Sequence, residues 1–363
     1  QNQPSTPTMQ PSVLNRRQFS LGIGATALAG FGVARAQSEG RIVLGQSAAF
    51  SGPAAQLGIQ FNQGAKLFFD QLNAAGGVGK RMVEIRTLDD GYEPDRCAEN
   101  TRKLIADDVF ALFGYVGTPT SLAAVPLFNQ AKVPFFAPFT GAESLRQPFN
   151  RLVFHVRASY YDETALIVRQ LVNLGVKKIA VFHQNDAYGK AGLDGVNKAL
   201  AEHKLPLAGA ATVERNSVDV AAAVEKLVAA KPDAVVQIAA YGASAAFVRA
   251  ARKAGFGGTF YNVSFVGTQA LADELGKDGA GVVVSQVVPS PYQPSRQITR
   301  EFLDAIKKAG DKVQPNYSSM EGFLAARIFT EGLRQAAASG KISRDSFISG
   351  MEGLGSQVIS GFP

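Results

Sequence analysis

From Arg41 onward the sequence alternates short β-branched runs with amphipathic helical segments, and this alternation constrains the fold more than any other feature. Several of the runs are apolar on both faces, as in the segment 109–114 (VFALFG). A strand that is buried on both faces is typical of a parallel sheet covered by helices on either side. The pattern therefore predicts a doubly wound α/β fold.

The alternation forms two sets in series. Strands are predicted at 41–48, 82–88, 109–116, 133–138, 152–157, 178–184, 207–214, 234–240, 259–265 and 281–288, with helices between most of them. After the second set come two further helices and no flexible linker, which indicates that the chain crosses back to the first set. We therefore predict two parallel-sheet lobes joined by a hinge. Lobe 1 comprises 41–156 plus 288–352, and lobe 2 comprises 157–287 plus 353–363.

Residues 1–36 have the pattern of an export signal. The pair Arg16 and Arg17 precedes an apolar stretch of small and aliphatic residues, and a small-x-small pattern then predicts cleavage near Ala36/Gln37. Charged, apolar and cleavage regions in this order are typical of a secretory signal. The arginine pair is similar to the twin-arginine type, so we expect the mature protein in the periplasm.

Composition argues against several classes of partner. Residues 1–36 contain three arginines and no acid, so the formal net charge falls from +7 to +4 on cleavage. The remaining basic residues are spread along helices, which disfavours a nucleic-acid partner.

Cys97 is the only cysteine, so no internal disulfide is expected. The three histidines are far apart and form no ligand spacing: His155, His183 and His203.

The sequence also lacks the motifs of the common α/β enzymes. There is no Gly-x-Gly-x-x-Gly after the first strand, no phosphate loop and no Gly-x-Ser-x-Gly elbow. The pair Asp89-Asp90 could suggest a metal or acid–base site, but it follows a strand and precedes Pro94. A role in the loop and helix start explains it better. We therefore expect no cofactor, no metal and no catalytic residue.

One loop has the chemistry of an anion site. Ligands of open α/β sheets bind beyond the carboxyl ends of strands. There, Gly117 permits a tight turn and Pro119 suits the first helical position. Thr118, Thr120 and Ser121 place hydroxyls beside the free N–H groups of a helix start, which binds carboxylates and phosphates. The alternative interpretation is an ordinary threonine N-cap.

Two further loops could complete such a site. Phe139-Thr140-Gly141 offers a glycine turn with one hydroxyl and follows the next predicted strand. Tyr188 follows a strand of the second set, where a tyrosine can offer a ring face and a hydroxyl to a cleft between lobes. The alternative there is a turn with a surface tyrosine.

Taken in order, these loops resemble the branched-chain amino-acid-binding family, the type I periplasmic solute-binding proteins of ABC importers. The resemblance spans nearly all of residues 41–330, and its motifs are Ser51-Gly52-Pro53 with Gly58, Asn73 to Val78, Asp89-Asp90, Gly117-Thr118, Pro138 to Gly141, Asp186 to Gly189 and Pro232 to Val235. It implies a non-catalytic, monomeric, two-lobed clamp that closes on a small carboxylate and docks on an ABC permease in the inner membrane. It also implies final strands that this sequence, ending at Pro363, does not reach.

The resemblance assigns ligand contacts to particular positions. Thr118 would donate its hydroxyl and backbone N–H, Phe139 would offer its carbonyl, and Tyr188 and Tyr241 would close from the second lobe. Leu57 would lie where an aromatic residue is usual. The complete set implied is Leu57, Thr118, Phe139, Thr140, Gly141, Tyr188, Tyr241 and Ser264.

The sequence departs from the family pattern at Ser264, which occupies the position where amino-acid binders place an acid. A buried ammonium without a carboxylate partner is costly. Phe139 is also bulky where a small residue is usual. Both changes favour a less polar or aromatic carboxylate, or an amino acid held differently. A sensing module that uses the same clamp is the alternative function, and an enzyme would need a constellation of residues that we do not find.

Overall fold

The structure is a computed structural model, and it describes residues 40–355, 357 and 359–362. These residues form two five-stranded parallel sheets with helices packed against them. The predicted fold class, two doubly wound α/β lobes, is confirmed. The predicted signal peptide lies outside the described residues.

Both sheets have the same strand order. The first sheet consists of β1 (Arg41–Ala48), β2 (Met82–Asp89), β3 (Ala111–Phe113), β4 (Phe135–Phe136) and β5 (Val153–Phe154). The second consists of β6 (Ile179–Gln184), β7 (Gly209–Val213), β8 (Ala234–Ile238), β9 (Thr259–Asn262) and β10 (Val282–Val284). The orders across the sheets are β2-β1-β3-β4-β5 and β10-β9-β8-β6-β7. The strand order therefore reverses between β1 and β3 in one sheet and between β6 and β8 in the other.

Helices connect most of the strands and then follow the second sheet. In the part of the chain that the structure describes, they are α1 (Ala55–Ala74), α2 (Pro94–Ala106), α3 (Thr118–Ala131), α4 (Tyr160–Asn173), α5 (Ala187–Glu202), α6 (Ala221–Ala229), α7 (Tyr241–Lys253), α8 (Thr268–Leu275), α9 (Gln297–Lys308), α10 (Tyr317–Ala338) and α11 (Arg344–Gly353). Short 3₁₀ turns lie at Glu143–Leu145, Ser264–Val266 and Gly276–Gly279. None of the helices within these residues is both long enough and apolar enough to span a bilayer.

Most of the predicted strands are shorter in the structure, and two of them show a local reason. The strand predicted at 109–116 ends early because Gly114 has a φ of 62°, which leaves the extended region. The strand predicted at 133–138 is reduced to two residues that lie between Pro134 and Pro138. Proline has no N–H to donate to a ladder, and Ala137, just before Pro138, has a φ of 50°, which also leaves the extended region.

The last two helices return to cover the first sheet with aromatic side chains. Phe113 and Phe136 from neighbouring strands stack with their ring centroids 5.9 Å apart. Phe329 of α10 meets Phe113 edge-on at 5.8 Å, and Phe347 of α11 lies 4.6 Å from Phe329. All four side chains are buried. These helices thus complete the hydrophobic core over the first sheet.

Close packing of α1 against α10 depends on two glycines. A Cβ on Gly64 would collide with the Ser319 carbonyl, and one on Gly322 would collide with the Phe61 carbonyl. The helices can approach this closely only because neither glycine carries a side chain. This contact fixes α1, whose first turn faces the cleft between the lobes.

In the segment 353–363, which is predicted to join lobe 2, the described residue Ser360 contacts helix α9. Among the described residues of this segment, Ser360 accepts a hydrogen bond at 2.9 Å from the Ile298 N–H of α9. The Ser360 hydroxyl also donates to Glu301 of the same helix at 2.9 Å. Since α9 packs on α10, these residues lie with the helices of the first lobe. The sequence pattern does not reveal this, because both contacts join residues about 60 positions apart.

Candidate functional site

The two reversals of strand order define where a ligand site should lie, beyond the carboxyl ends of β1 and β3 and of β6 and β8. The loops after these four strands lead to Leu57, Thr118, Tyr188 and Tyr241, respectively. The other predicted residues follow the neighbouring strands β4 and β9, and they are Phe139, Thr140, Gly141 and Ser264. The topology therefore brings all eight predicted positions to the facing edges of the two sheets.

The first lobe contributes a helix start with hydroxyl groups. Gly117 has a φ of 98° and packs so closely on the Tyr92 ring that a Cβ would not fit. At the first position of α3, the Thr118 hydroxyl lies 2.6 Å from that of Thr140, and both side chains are fully buried. One turn further, Ser121 has a buried hydroxyl with no hydrogen-bond partner among the described residues. These groups lie at the positive end of the helix dipole.

Two contacts differ from the roles expected in this part of the site. The Thr120 hydroxyl donates back to the Val116 carbonyl, so only two of the three predicted hydroxyls remain for a ligand. The backbone carbonyl of Phe139 accepts from the Gly117 N–H at 3.2 Å, so it is already engaged. What Phe139 brings to the site is its ring.

The second lobe contributes two buried tyrosines. The rings of Tyr160 and Tyr188 lie 5.4 Å apart, and neither hydroxyl has a hydrogen-bond partner within the described part of the chain. Burial raises the pKa of Tyr160 to about 12 and that of Tyr188 well above its usual range. Both groups therefore remain protonated and able to donate at neutral pH. The Tyr160 N–H donates to the Gly141 carbonyl at 2.7 Å, which joins this helix start to the first lobe's loop.

Sequence reasoning missed Tyr160. The sequence does indicate that a helix begins at this tyrosine, because Ser159 and Asp162 form a capping box at the start of α4. Nothing in the local sequence indicates which of the two adjacent tyrosines faces inward. The structure places Tyr160 inside and Tyr161 on the outer face, under Lys198.

Aromatic rings from both lobes meet in the centre. Phe139 follows β4, Phe265 follows β9, and their ring centroids are 5.7 Å apart. Tyr188 approaches Phe265 at 4.4 Å, and Tyr92 lies 6.0 Å from Phe265 on another side. All of these side chains are buried. The surroundings suit a ligand with an apolar or aromatic body.

A buried ion pair borders this aromatic cluster and was not foreseen. The Arg157 Nε and Nη2 each donate to the Glu321 carboxylate at 2.8 Å. The side chains are 1% and 5% exposed. The guanidinium lies over the Phe139 ring, with its carbon 4.2 Å from the centroid, and its Nη1 has no partner among the described residues. The two residues are 164 positions apart, so only the fold brings them together.

Ser264, where the family pattern expects an acid, binds to an acid instead. Its N–H and hydroxyl donate to the Glu163 carboxylate of α4 at 2.7 and 2.9 Å. The Ser285 hydroxyl donates to the same carboxylate. Burial raises the pKa of Glu163, whereas Arg157 and these donors act in the opposite direction. The site thus contains a carboxylate that the local sequence does not reveal, and its oxygens are already engaged.

Leu57 and Tyr241 take part in contacts between the lobes. The Gln56 N–H at the start of α1 donates to the Tyr241 hydroxyl at 3.3 Å. Leu57 is fully buried and lies close enough to Gly267 that a Cβ there would collide with it. Tyr241 therefore reaches the first lobe from the second, where its hydroxyl meets the backbone, and its role as a ligand contact stays a prediction.

Polar contacts at the edge of the cleft also join the lobes. Arg215 forms an ion pair with Glu93 at 2.8 Å, and Asn216 donates to the Gly91 carbonyl at 3.0 Å. We call these four residues the rim contact. Arg215 also lies 3.3 Å from Asp186, the N-cap of α5. The lobes are thus in a closed arrangement, which the rim contact stabilises.

Groups that could suggest catalysis have structural partners. Cys97 is fully buried, and burial raises the pKa of its thiol far above neutral pH, so it is no nucleophile. Asp89 accepts from the Phe50 and Gly91 N–H groups at 2.9 Å. Asp90 accepts from the Ser47 hydroxyl at 2.7 Å. Over the residues that the structure describes, no group of three or more His, Cys, Asp or Glu could hold a metal ion.

Comparison with known proteins supports the family resemblance. A family model described as "Periplasmic binding protein" matches residues 41–362. The chain is 25% identical over 334 residues to Leu/Ile/Val-binding protein homolog 7 of Brucella abortus (strain 2308), covering 86% of this chain and 81% of that protein.

Solved structures agree with this match. The crystal structure of a possible leucine/isoleucine/valine-binding protein from Rhodopirellula baltica SH 1 is 35% identical, covers 89% of each chain and superposes with a TM-score of 0.83. A substrate-binding periplasmic protein from Ralstonia solanacearum is 31% identical, with 88% of this chain and 91% of that one covered, and also gives a TM-score of 0.83. The resemblance drawn from the loop motifs is confirmed.

Proposed function

Because the chain belongs to the periplasmic binding protein family, we propose that it is the binding component of an ABC importer and holds a small carboxylate between its two lobes. Members of this family are substrate-binding proteins and not enzymes, and they work with ABC transporters. The family is periplasmic, which agrees with the export signal expected from residues 1–36.

The arrangement around Thr118 carries the carboxylate assignment. A buried helix start, with the Thr118 and Ser121 side chains beside it, offers donors and a positive dipole where the strand order reverses. Such a helix start stabilises an anion through its free N–H groups and its partial positive charge. The rings of Phe139, Tyr188 and Phe265 lie beyond it and suit the ligand's apolar body. Together these features support a carboxylate end held by the first lobe and a body enclosed by both.

The closed arrangement supports a clamp mechanism. A ligand held by the first lobe would contact Tyr188 and Phe265 only when the second lobe has rotated onto it. The rim contact forms in the same movement, so ligand and rim contact stabilise the same state. The permease would then recognise the closed form. Deletion of the gene should abolish high-affinity uptake of the acid that the protein binds.

Thermal-shift screening of the purified protein tests the binding claim. The panel holds benzoates, phenylpropanoids, branched-chain and aromatic amino acids and short dicarboxylates, each with its neutral amide as the matched compound. A ligand that binds the folded state raises the melting midpoint. We expect at least one carboxylate to raise it and its amide to have little effect. No shift with any carboxylate would contradict the proposed function.

Thr118→Val tests the location of the carboxylate. Valine keeps the shape but removes the hydroxyl, and a hydrogen bond to a charged group contributes about 1.5–3 kcal/mol, so affinity should fall about 10- to 100-fold. Thr212→Val is the matched control, because Thr212 lies exposed on β7. Equal affinity of wild type and Thr118→Val would remove Thr118 from the site.

A further inference from the structure

The site contains an excess of unpaired donors. Among the described residues, the buried polar atoms without partners include the hydroxyls of Ser121, Tyr160 and Tyr188 and the Nη1 of Arg157. A hydroxyl can donate or accept, whereas a guanidinium can only donate. Because buried donors are normally paired, these four groups require an acceptor when the cleft is filled and closed.

The groups cluster around one region. Tyr160 lies against Tyr188, with ring centroids 5.4 Å apart, and its N–H binds the Gly141 carbonyl beside Thr140. The Arg157 guanidinium lies over the ring of Phe139, the residue before Thr140. Ser121 lies one turn beyond Thr118, whose hydroxyl meets that of Thr140. A single small anion bound among them would have donors on both lobes.

Every acid in this region is already engaged. Glu163 accepts from the Ser264 N–H, the Ser264 hydroxyl and the Ser285 hydroxyl. Glu321 accepts two hydrogen bonds from Arg157. Asp186 caps α5 by accepting from the Tyr188 N–H at 3.0 Å and pairs with Arg215. A ligand ammonium would have to share a carboxylate with these partners, since none of the three acids is free.

An aromatic face offers no substitute. Ammonium groups can bind over aromatic rings. One face of Phe139 is covered by the Arg157 guanidinium, whose carbon lies 4.2 Å from the ring centroid. That face of Phe139 is therefore not available to a ligand cation. The chemistry of the region thus favours negative charge at one end and no positive charge.

We infer that the ligand is an organic acid with an aromatic or branched apolar body and no α-ammonium group. This inference rests on the proposed function, in which the ligand is a carboxylate held between the lobes. It goes further in two ways. It assigns Tyr160, Tyr188 and Arg157 as donors to the ligand, and it attributes selectivity against amino acids to the absence of a free acid in the site.

Matched ligand pairs test the inference by isothermal titration calorimetry. The pairs are 3-phenylpropanoate with L-phenylalanine and 4-methylpentanoate with L-leucine, which differ only in the α-amino group. We expect the acid without the amino group to bind at least 10-fold more tightly in at least one pair. Tighter binding of the amino acid in the pairs would overturn this inference and leave the proposed function standing. The absence of binding by any carboxylate would overturn both.

Single hydroxyl deletions test the donors. Tyr188→Phe and Tyr160→Phe each remove one donor and keep the ring, so affinity for the best organic acid should fall about 10-fold in each. Tyr161→Phe is the matched control, since Tyr161 is the adjacent residue and lies on the outer face under Lys198. Its affinity should equal that of wild type. Unchanged affinity in both inner variants would overturn the assignment of these donors, and melting midpoints establish that each variant is folded.

Discussion

The buried pair of Arg157 and Glu321 gives the sharpest stability prediction. In Glu321→Gln the guanidinium loses its counter-charge while its side chain remains about 1% exposed, so water cannot replace the lost partner. Removing one partner of a buried pair costs about 3–5 kcal/mol because an uncompensated charge stays inside. We therefore expect a loss of about that size in the free energy of unfolding.

The chain contains its own control for this prediction. Arg151 and Glu352 form the same kind of bidentate pair, with hydrogen bonds of 2.6 and 2.8 Å, but their side chains are 55% and 43% exposed. Water can solvate either group when the other is removed. Glu352→Gln should therefore leave the unfolding midpoint nearly unchanged. Urea unfolding of both variants in one buffer makes the comparison, and similar losses in the two would refute the reasoning from burial.

Two further predictions concern pH and lobe closure. Burial raises the pKa of Asp90 from 3.8 to about 6, so the folded state favours the protonated form. The contribution is fully present below pH 3.8 and is lost as the pH rises through 6, a change of roughly 3 kcal/mol. Urea unfolding should thus show that Asp90→Asn is more stable than wild type at pH 7.5 and similar to it at pH 4, and an equal difference at both would contradict this. Arg215→Ala removes an ion pair of the rim contact and should speed ligand dissociation about 3- to 10-fold in stopped-flow measurements, an effect of up to about 1.4 kcal/mol. Arg249→Ala, which breaks a pair within the second lobe, should not change this rate.

Much of the fold follows from local chemistry. The alternation of β-branched runs with helical segments locates the ten strands of the described residues, and several of these runs are apolar on both faces, which is a property of the residues themselves. Strand lengths are less predictable, since β3 and β4 end where Gly114 and two prolines interrupt the ladder. The placement of 359–362 on α9 depends on contacts between distant residues, and no periodicity encodes it.

In the candidate site, too, some residues could be predicted from the local sequence and others could not. Thr118 and Thr140 could be identified because a glycine turn followed by hydroxyls at a helix start has a recognisable local pattern. Arg157, Tyr160 and Glu163 could not, because their roles arise from partners on other elements. Ser264 illustrates the limit: its sequence position suggested a missing acid, whereas the fold supplies one from α4 and engages it fully.

The central claim is that a carboxylate lies at the start of α3 between closed lobes. A crystal structure with the tightest-binding acid tests it most directly. We predict carboxylate oxygens within hydrogen-bond distance of Thr118 and at least one of the Tyr160 and Tyr188 hydroxyls, with the apolar body against the rings of Phe139, Tyr188 and Phe265. A carboxylate bound away from Thr118, or paired only with groups on the outer surface, would contradict the account.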